Sequence, residues 1–200
     1  MYELKKLLKR HVEENSFKYM FLLFLFVVGV IGGFVFSRNV SGETSEVLQS
    51  DVGTFIDKFS EGVFNRGEIA KTSFLKTLRI TLLIFLSGLS VWLIPVSLIT
   101  LFFYGVSLGF TMGYLSVNFG GQGLGVALVS VFLVFLINIP IYILLGVVAF
   151  NNSGIKRRGR SSEGNFGLYT AVFVISFLIS VIPVIADTFL IPWLIGLICG

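Results

Sequence analysis

The stretch GVSLG, Gly105 to Gly109, satisfies the G-x-S-x-G spacing of serine hydrolases. In those enzymes the serine stands on a strand-to-helix elbow and a histidine accepts its proton. Here the motif lies inside an uncharged apolar run, and the sole histidine, His11, falls in the N-terminal tail. Ser107 therefore has no base. Aspartyl chemistry needs two carboxylates sharing a proton, yet the only acids after Glu68 are Glu163 and Asp187. One cysteine, Cys199, excludes an internal disulfide and a cysteine cage for a metal. No HExxH or P-loop spacing occurs. The sequence thus predicts no catalytic residue, no cofactor and no metal site.

The same residues fit a different purpose. Gly105, Gly109 and Gly113 recur at every fourth position, and residues four apart stack on one helical face. Each glycine costs about 1 kcal/mol of helix propensity relative to alanine. In lipid the groove they leave lets another backbone approach closely, where no hydrophobic effect drives helices together. Either a neighbouring span of the same chain or the same span of a second copy fits such a groove. Short connections between spans favour the first option and leave a homo-oligomer as the alternative. A large side chain at Gly109 is expected to do more damage than one at Gly29.

The elements that carry these residues must be membrane helices. The chain has 200 residues, of which 55% are hydrophobic and only 13% charged, against about 25% charged in soluble domains. It reads as one all-α membrane domain over residues 1–200. Tyr19 to Phe36 carries no charge and is long enough to span. It exceeds a signal-peptide core and lacks an A-x-A-type site, so it reads as a retained anchor. Ile80 to Gly120 is a second uncharged stretch, about forty residues or about 60 Å as helix, twice a bilayer core of about 30 Å. Pro95 is its expected break. Leu124–Phe150 and Phe166 to Ala186 supply two further spans, and Pro192 is expected to break the apolar tail.

Charge orients the spans. Residues 1–18 form a basic tail with Lys5, Lys6, Lys9, Arg10 and Lys18, and residues 151–165 form a basic loop with Lys156, Arg157, Arg158 and Arg160. Both are expected in the cytoplasm. An even number of crossings must separate them, so the forty-residue stretch adds two or, as a re-entrant hairpin, none; its length favours two, which gives five transmembrane helices, N-terminus in and C-terminus out. The positive charges are placed by topology, so the formal net charge of +4 does not indicate nucleic acid.

Residues 37–72 then lie outside. Leu48, Val52, Phe55, Ile56, Phe59 and Val63 recur there at helical spacing, while Asp51, Asp57, Lys58 and Glu61 fall elsewhere on the wheel. This amphipathic helix either lies on the membrane as a cap or docks an extracytoplasmic partner through residues such as Phe55 and Phe59. Asn138, in LINIPIY, is an intramembrane polar group beside Pro140. It is expected to bond across helices, or to the carbonyl that Pro140 leaves free, and is otherwise a functional candidate. Asp187 falls near the outer headgroups, where it faces Arg66, Lys71, solvent or an outside partner.

The segments HVEENSFKYMFLLFLFVVGVIGG, GLSVWLIPVSLITLFFYGVSLGFTMGYL and LINIPIYILLGVVA, in this order and with a moderate outer loop after the first, resemble the stage II sporulation protein M family. The late acid-before-proline feature, Asp187 and Pro192, belongs to the same likeness. The resemblance implies a non-enzymatic membrane protein of endospore-forming bacteria, acting in the mother-cell membrane at the sporulation septum. There it would anchor an amidase/endopeptidase and a lytic transglycosylase that remodel septal peptidoglycan during engulfment. The rival reading is a transporter or permease subunit, which requires a polar passage through the bundle.

Overall fold

A computed structural model describes residues 10, 12–40, 50, 54, 65–118, 125, 134–157 and 163–199, with side chains at all of these except 134, 135, 155–157, 163–165, 187 and 190–199. Among the described residues the chain is all-helical. Its elements are α1 (Ser16–Arg38), α2 (Arg66–Ser87), a 3-10 turn (Val91–Leu93), α3 (Ile94–Asn118), one π turn (Val134–Asn138), α4 (Ile139–Arg157) and α5 (Glu163–Cys199).

Four stretches are long and apolar enough to cross a membrane: Ser16–Arg38, Val91–Asn118, Leu136–Gly154 and Phe166–Ala186. The long uncharged stretch is divided differently from the expectation. The break falls at Gly88–Ser90, not at Pro95. Gly88 caps α2 through its N–H to the Leu86 and Phe85 carbonyls, and Pro95 is the second residue of α3. In the first turn of a helix a proline forfeits no internal hydrogen bond, so it starts α3 instead of breaking it. α2 in turn begins at Arg66, inside the segment assigned to the outer loop, and carries Lys71, Lys76 and Arg79. Those charges keep it off the list of purely apolar spans. The expected interruption at Pro192 is also absent: α5 runs unbroken through Pro183 and Pro192, an arrangement membrane helices tolerate.

Contacts along the helices fix their directions. α1 and α3 run parallel, since Gly105 lies against Phe26 and Val30, Gly109 against Val30, and Gly113 against Phe34 and Ser37. α4 opposes both. Tyr104 meets Tyr142 edge-on at 5.3 Å between ring centroids, while Leu101 and Leu22 reach Gly146. α2 opposes α5, with Phe74 against Phe177 and Phe85 against Phe173 and Tyr169. It runs with α4, pairing Thr77 with Tyr142 and Gly88 with Ala149. Successive helices therefore alternate in direction.

The packed interior is narrow. Leu22, Phe26, Ile84, Leu101, Tyr142 and Leu145 are buried in it, whereas Phe24, Ile31, Phe103, Leu178 and Ile182 stand exposed. An apolar exterior of this kind suits lipid. Trp92, 91% exposed in the turn between α2 and α3, sits at a bundle end, where interfacial aromatics belong.

Candidate functional site

Three features of the bundle can bear function: a glycine seam, a polar node at one end, and polar or charged groups at mid-depth.

The seam joins α1 to α3, and glycines line it from both sides. A Cβ added at Gly105 would stand 2.5 Å from the Phe26 carbonyl oxygen. One at Gly109 would overlap the Val30 carbonyl, and one at Gly113 the Ser37 hydroxyl. From α1, Gly29 and Gly33 press on the Phe102 and Val106 carbonyls in the same way, while Gly32 has open space beside it. Gly29 is thus part of the seam, although a Cβ there would meet the α3 backbone less closely than one at Gly109 meets Val30, the order expected for large side chains at the two positions. Seen along α3 alone, only half of the contact is visible, because the pairing of helix faces is a tertiary fact. Gly105, Gly109 and Gly113 face a helix of their own chain.

The polar node gathers four elements at the end of the bundle where α1 begins. Lys18 Nζ donates to Asn151 Oδ1 of α4. Asn152 Nδ2 donates to the Gly88 carbonyl at 2.9 Å, and the Tyr169 hydroxyl donates to the Phe85 carbonyl at 2.6 Å. The Asn152 bond satisfies the Gly88 carbonyl at the end of α2, and Tyr169 adds a second donor to the Phe85 carbonyl, which also accepts from the Gly88 N–H. These bonds also place the start of α1, the end of α2, the end of α4 and the start of α5 at one level.

At mid-depth, Asn138 is 4% exposed, and among the described residues its Oδ1 finds no hydrogen-bond partner. It closes the π turn before Pro140, a local loosening that accommodates the missing proline N–H. Ser107 is exposed on the side of α3 away from the core, and its carbonyl accepts from Thr111 Oγ1 at 2.9 Å. His11 lies outside the described residues. Among the described residues no cluster of metal-ligating side chains forms.

Sequence reading passed over Lys76 and Arg79. They fall between the segment assigned to the outer loop and the start of the uncharged stretch, and so belong to neither. Two cations three residues apart in a stretch, residues 73–87, with no other charge were the available signal. The Lys76 ammonium stands 5.7 Å from the Tyr104 ring centroid, a cation–π distance. Arg79 is exposed on the outward side of α2.

At the opposite end, the Arg66 guanidinium lies 5.8 Å from the Phe189 ring centroid, which brings the start of α2 to the part of α5 that holds Asp187. The Asp187 side chain lies outside the described residues. So do Phe55 and Phe59; of the outer amphipathic segment only Ser50 and Thr54 are described, both helical and exposed.

A family model described as Stage II sporulation protein M matches residues 22–192, from α1 well into α5. No curated protein and no solved structure matches the chain.

Proposed function

The chain belongs to the stage II sporulation protein M family and is a sporulation-related membrane protein; from that premise we propose that it is a membrane scaffold, not an enzyme. The observation that carries the reading is the match over residues 22–192, which reaches all five helices and belongs to a family not known for catalysis. The scaffold sits in the mother-cell membrane at the sporulation septum. It recruits an amidase/endopeptidase and a lytic transglycosylase to the wall they remodel. Holding two enzymes in one membrane raises their effective concentration without chemistry from the anchor.

Five crossings, N-terminus in and C-terminus out, suit this role, and the alternating helix directions support them. Lys18 bonds Asn151, so the basic tail and the basic loop adjoin one end of the bundle, as the positive-inside rule requires of two cytoplasmic segments. An even count between them makes α2 the second crossing. In a variant lacking Cys199, Ser50→Cys is expected to react with an impermeant thiol reagent in intact cells. Ser162→Cys should react only after lysis. Reaction of both in intact cells would overturn the five-span arrangement.

A permease would need a polar path through the bundle. The hydroxyls of Ser97, Thr100, Thr111, Ser116 and Thr170 instead donate to carbonyls of their own helices at 2.7–3.0 Å. The scaffold reading is tested by the outer amphipathic helix. Phe55→Asp with Phe59→Asp should reduce capture of both wall-degrading enzymes severalfold while the protein stays inserted and abundant. Unchanged capture would make that helix a cap on the bundle. A fluorescent fusion that stays evenly distributed during sporulation would remove the septal assignment.

A further inference from the structure

The outward face of α2 carries Thr72, Leu75, Arg79, Leu82 and Leu86, all exposed. Their spacing alternates three and four residues, the seam of a left-handed helix pair. α2 itself packs elsewhere. Phe74 and Phe85 meet α5, Thr77 and Gly88 meet α4, and Lys76 turns toward Tyr104 of α3. The seam is thus a fourth side of the helix, bordering α5 at Leu82, which lines a groove with Phe173 and Val174, and it has one guanidinium at its centre.

Depth decides what that guanidinium needs. α2 has 22 residues, about 33 Å of helix, and Arg79 lies about 12 Å from its Gly88 end. This places the group within the hydrocarbon core, where an ionised side chain requires a partner. Helical side chains lean toward the N-terminus of their helix, here away from the nearer membrane surface, so reaching those headgroups opposes the natural direction of the stem. A second copy of the chain cannot neutralise the charge, because no Asp or Glu occurs between Glu14 and Glu43, between Glu68 and Glu163, or between Glu163 and Asp187. The leucines flanking Arg79 suit a helix surface.

We propose that the Thr72–Leu86 face of α2 docks a transmembrane helix of another protein that carries an Asp or Glu near its midpoint, paired with Arg79. The inference rests on α2 crossing the bilayer, part of the topology proposed above, and not on the recruitment of wall enzymes. Loss of enzyme capture would therefore leave it standing.

The full-length protein, reconstituted in phosphatidylcholine vesicles, is tested by energy transfer to a labelled leucine–alanine transmembrane peptide with one central Glu. The Glu peptide should associate about tenfold more strongly than its Gln counterpart, the size of a good polar contact between membrane helices. Arg79→Leu should abolish the difference and Arg79→Lys should keep most of it. Arg79→Glu should transfer the preference to a peptide with a central Arg. Equal binding of Glu and Gln peptides overturns the proposal. So does loss of the preference when phosphatidylglycerol replaces part of the lipid, since Arg79 would then be a headgroup site. Lys71→Cys and Ser90→Cys, in the variant lacking Cys199, must label from opposite sides of the vesicle. Labelling from one side removes α2 from the bilayer and the proposal with it.

Discussion

Gly109→Leu is expected to cost the folded bundle about 3 kcal/mol or more, the upper end of overpacking penalties. Leucine regains about 1 kcal/mol of helix propensity over glycine, so the steric penalty decides the sign. The obstacle at Gly109 is the Val30 backbone, with its Cα 2.9 Å from the position a Cβ would take. A flexible side chain could swing aside; a helix backbone moves only as a whole. Separating α1 from α3 would sacrifice the close contacts that hold helices together in lipid. Gly33→Leu should be comparably damaging and Gly29→Leu somewhat less so, because each meets a carbonyl of α3 but the approach at Gly29 is the less close. Gly32→Leu, with nothing within 4 Å, should be neutral or slightly stabilising. Denaturation of the purified protein in mixed micelles, titrated with an ionic detergent, measures all four. A dimer that becomes a folded monomer of undiminished stability on Gly109→Leu would assign the seam to a subunit interface instead. Harmless substitution at Gly109 would mean that the spacing carries no structural weight.

What was legible in the sequence and what was not follow one physical division. Apolar length is a property of a single segment, so three of the apolar helices fall where hydropathy put them. The glycine face of α3 was legible for the same reason. Its occupant was not, because Gly29 and Gly33 gain meaning only once α1 is known to lie parallel to α3. Pro95 misled because a proline in a first turn and one inside a helix read alike without the hydrogen-bond register. Gly88 was the better marker of the break, but its role depends on Tyr169 and Asn152, which approach from α5 and α4. Lys76 and Arg79 were lost to a boundary: an interval split between a loop and a span belongs to neither. Asn138 is legible as a polar group within an apolar segment; among the described residues its Oδ1, the acceptor end of the amide, finds no donor, whereas the carbonyl expected as its partner would bond to Nδ2.

Gly88 is where the second large effect is expected. A Cβ there would overlap the Tyr169 hydroxyl and stand 2.8 Å from the Ala149 Cα, so even Gly88→Ala should cost about 2–3 kcal/mol in the same detergent titration. The two obstacles differ in kind. Tyr169→Phe removes the hydroxyl and costs about 1 kcal/mol as a lost hydrogen bond; the Phe85 carbonyl keeps the Gly88 N–H as a second donor at 3.2 Å. In the double variant the added methyl group no longer meets the hydroxyl, so the combined loss should fall short of the sum by about 1 kcal/mol. It should not vanish, since the ring Cζ at position 169 and the Ala149 Cα, each 2.8 Å from the added Cβ, both remain. Asn152→Ala probes the third helix of the node. It removes the 2.9 Å bond to the Gly88 carbonyl without relieving either obstacle, and its cost should add to that of Tyr169→Phe unless the two bonds act as one unit. Strict additivity of Gly88→Ala with Tyr169→Phe would show that the hydroxyl does not close over the end of α2. The turn into α3 would then be held at this level by α4 alone, with α2 still packed on α5 through Phe74 and Phe85.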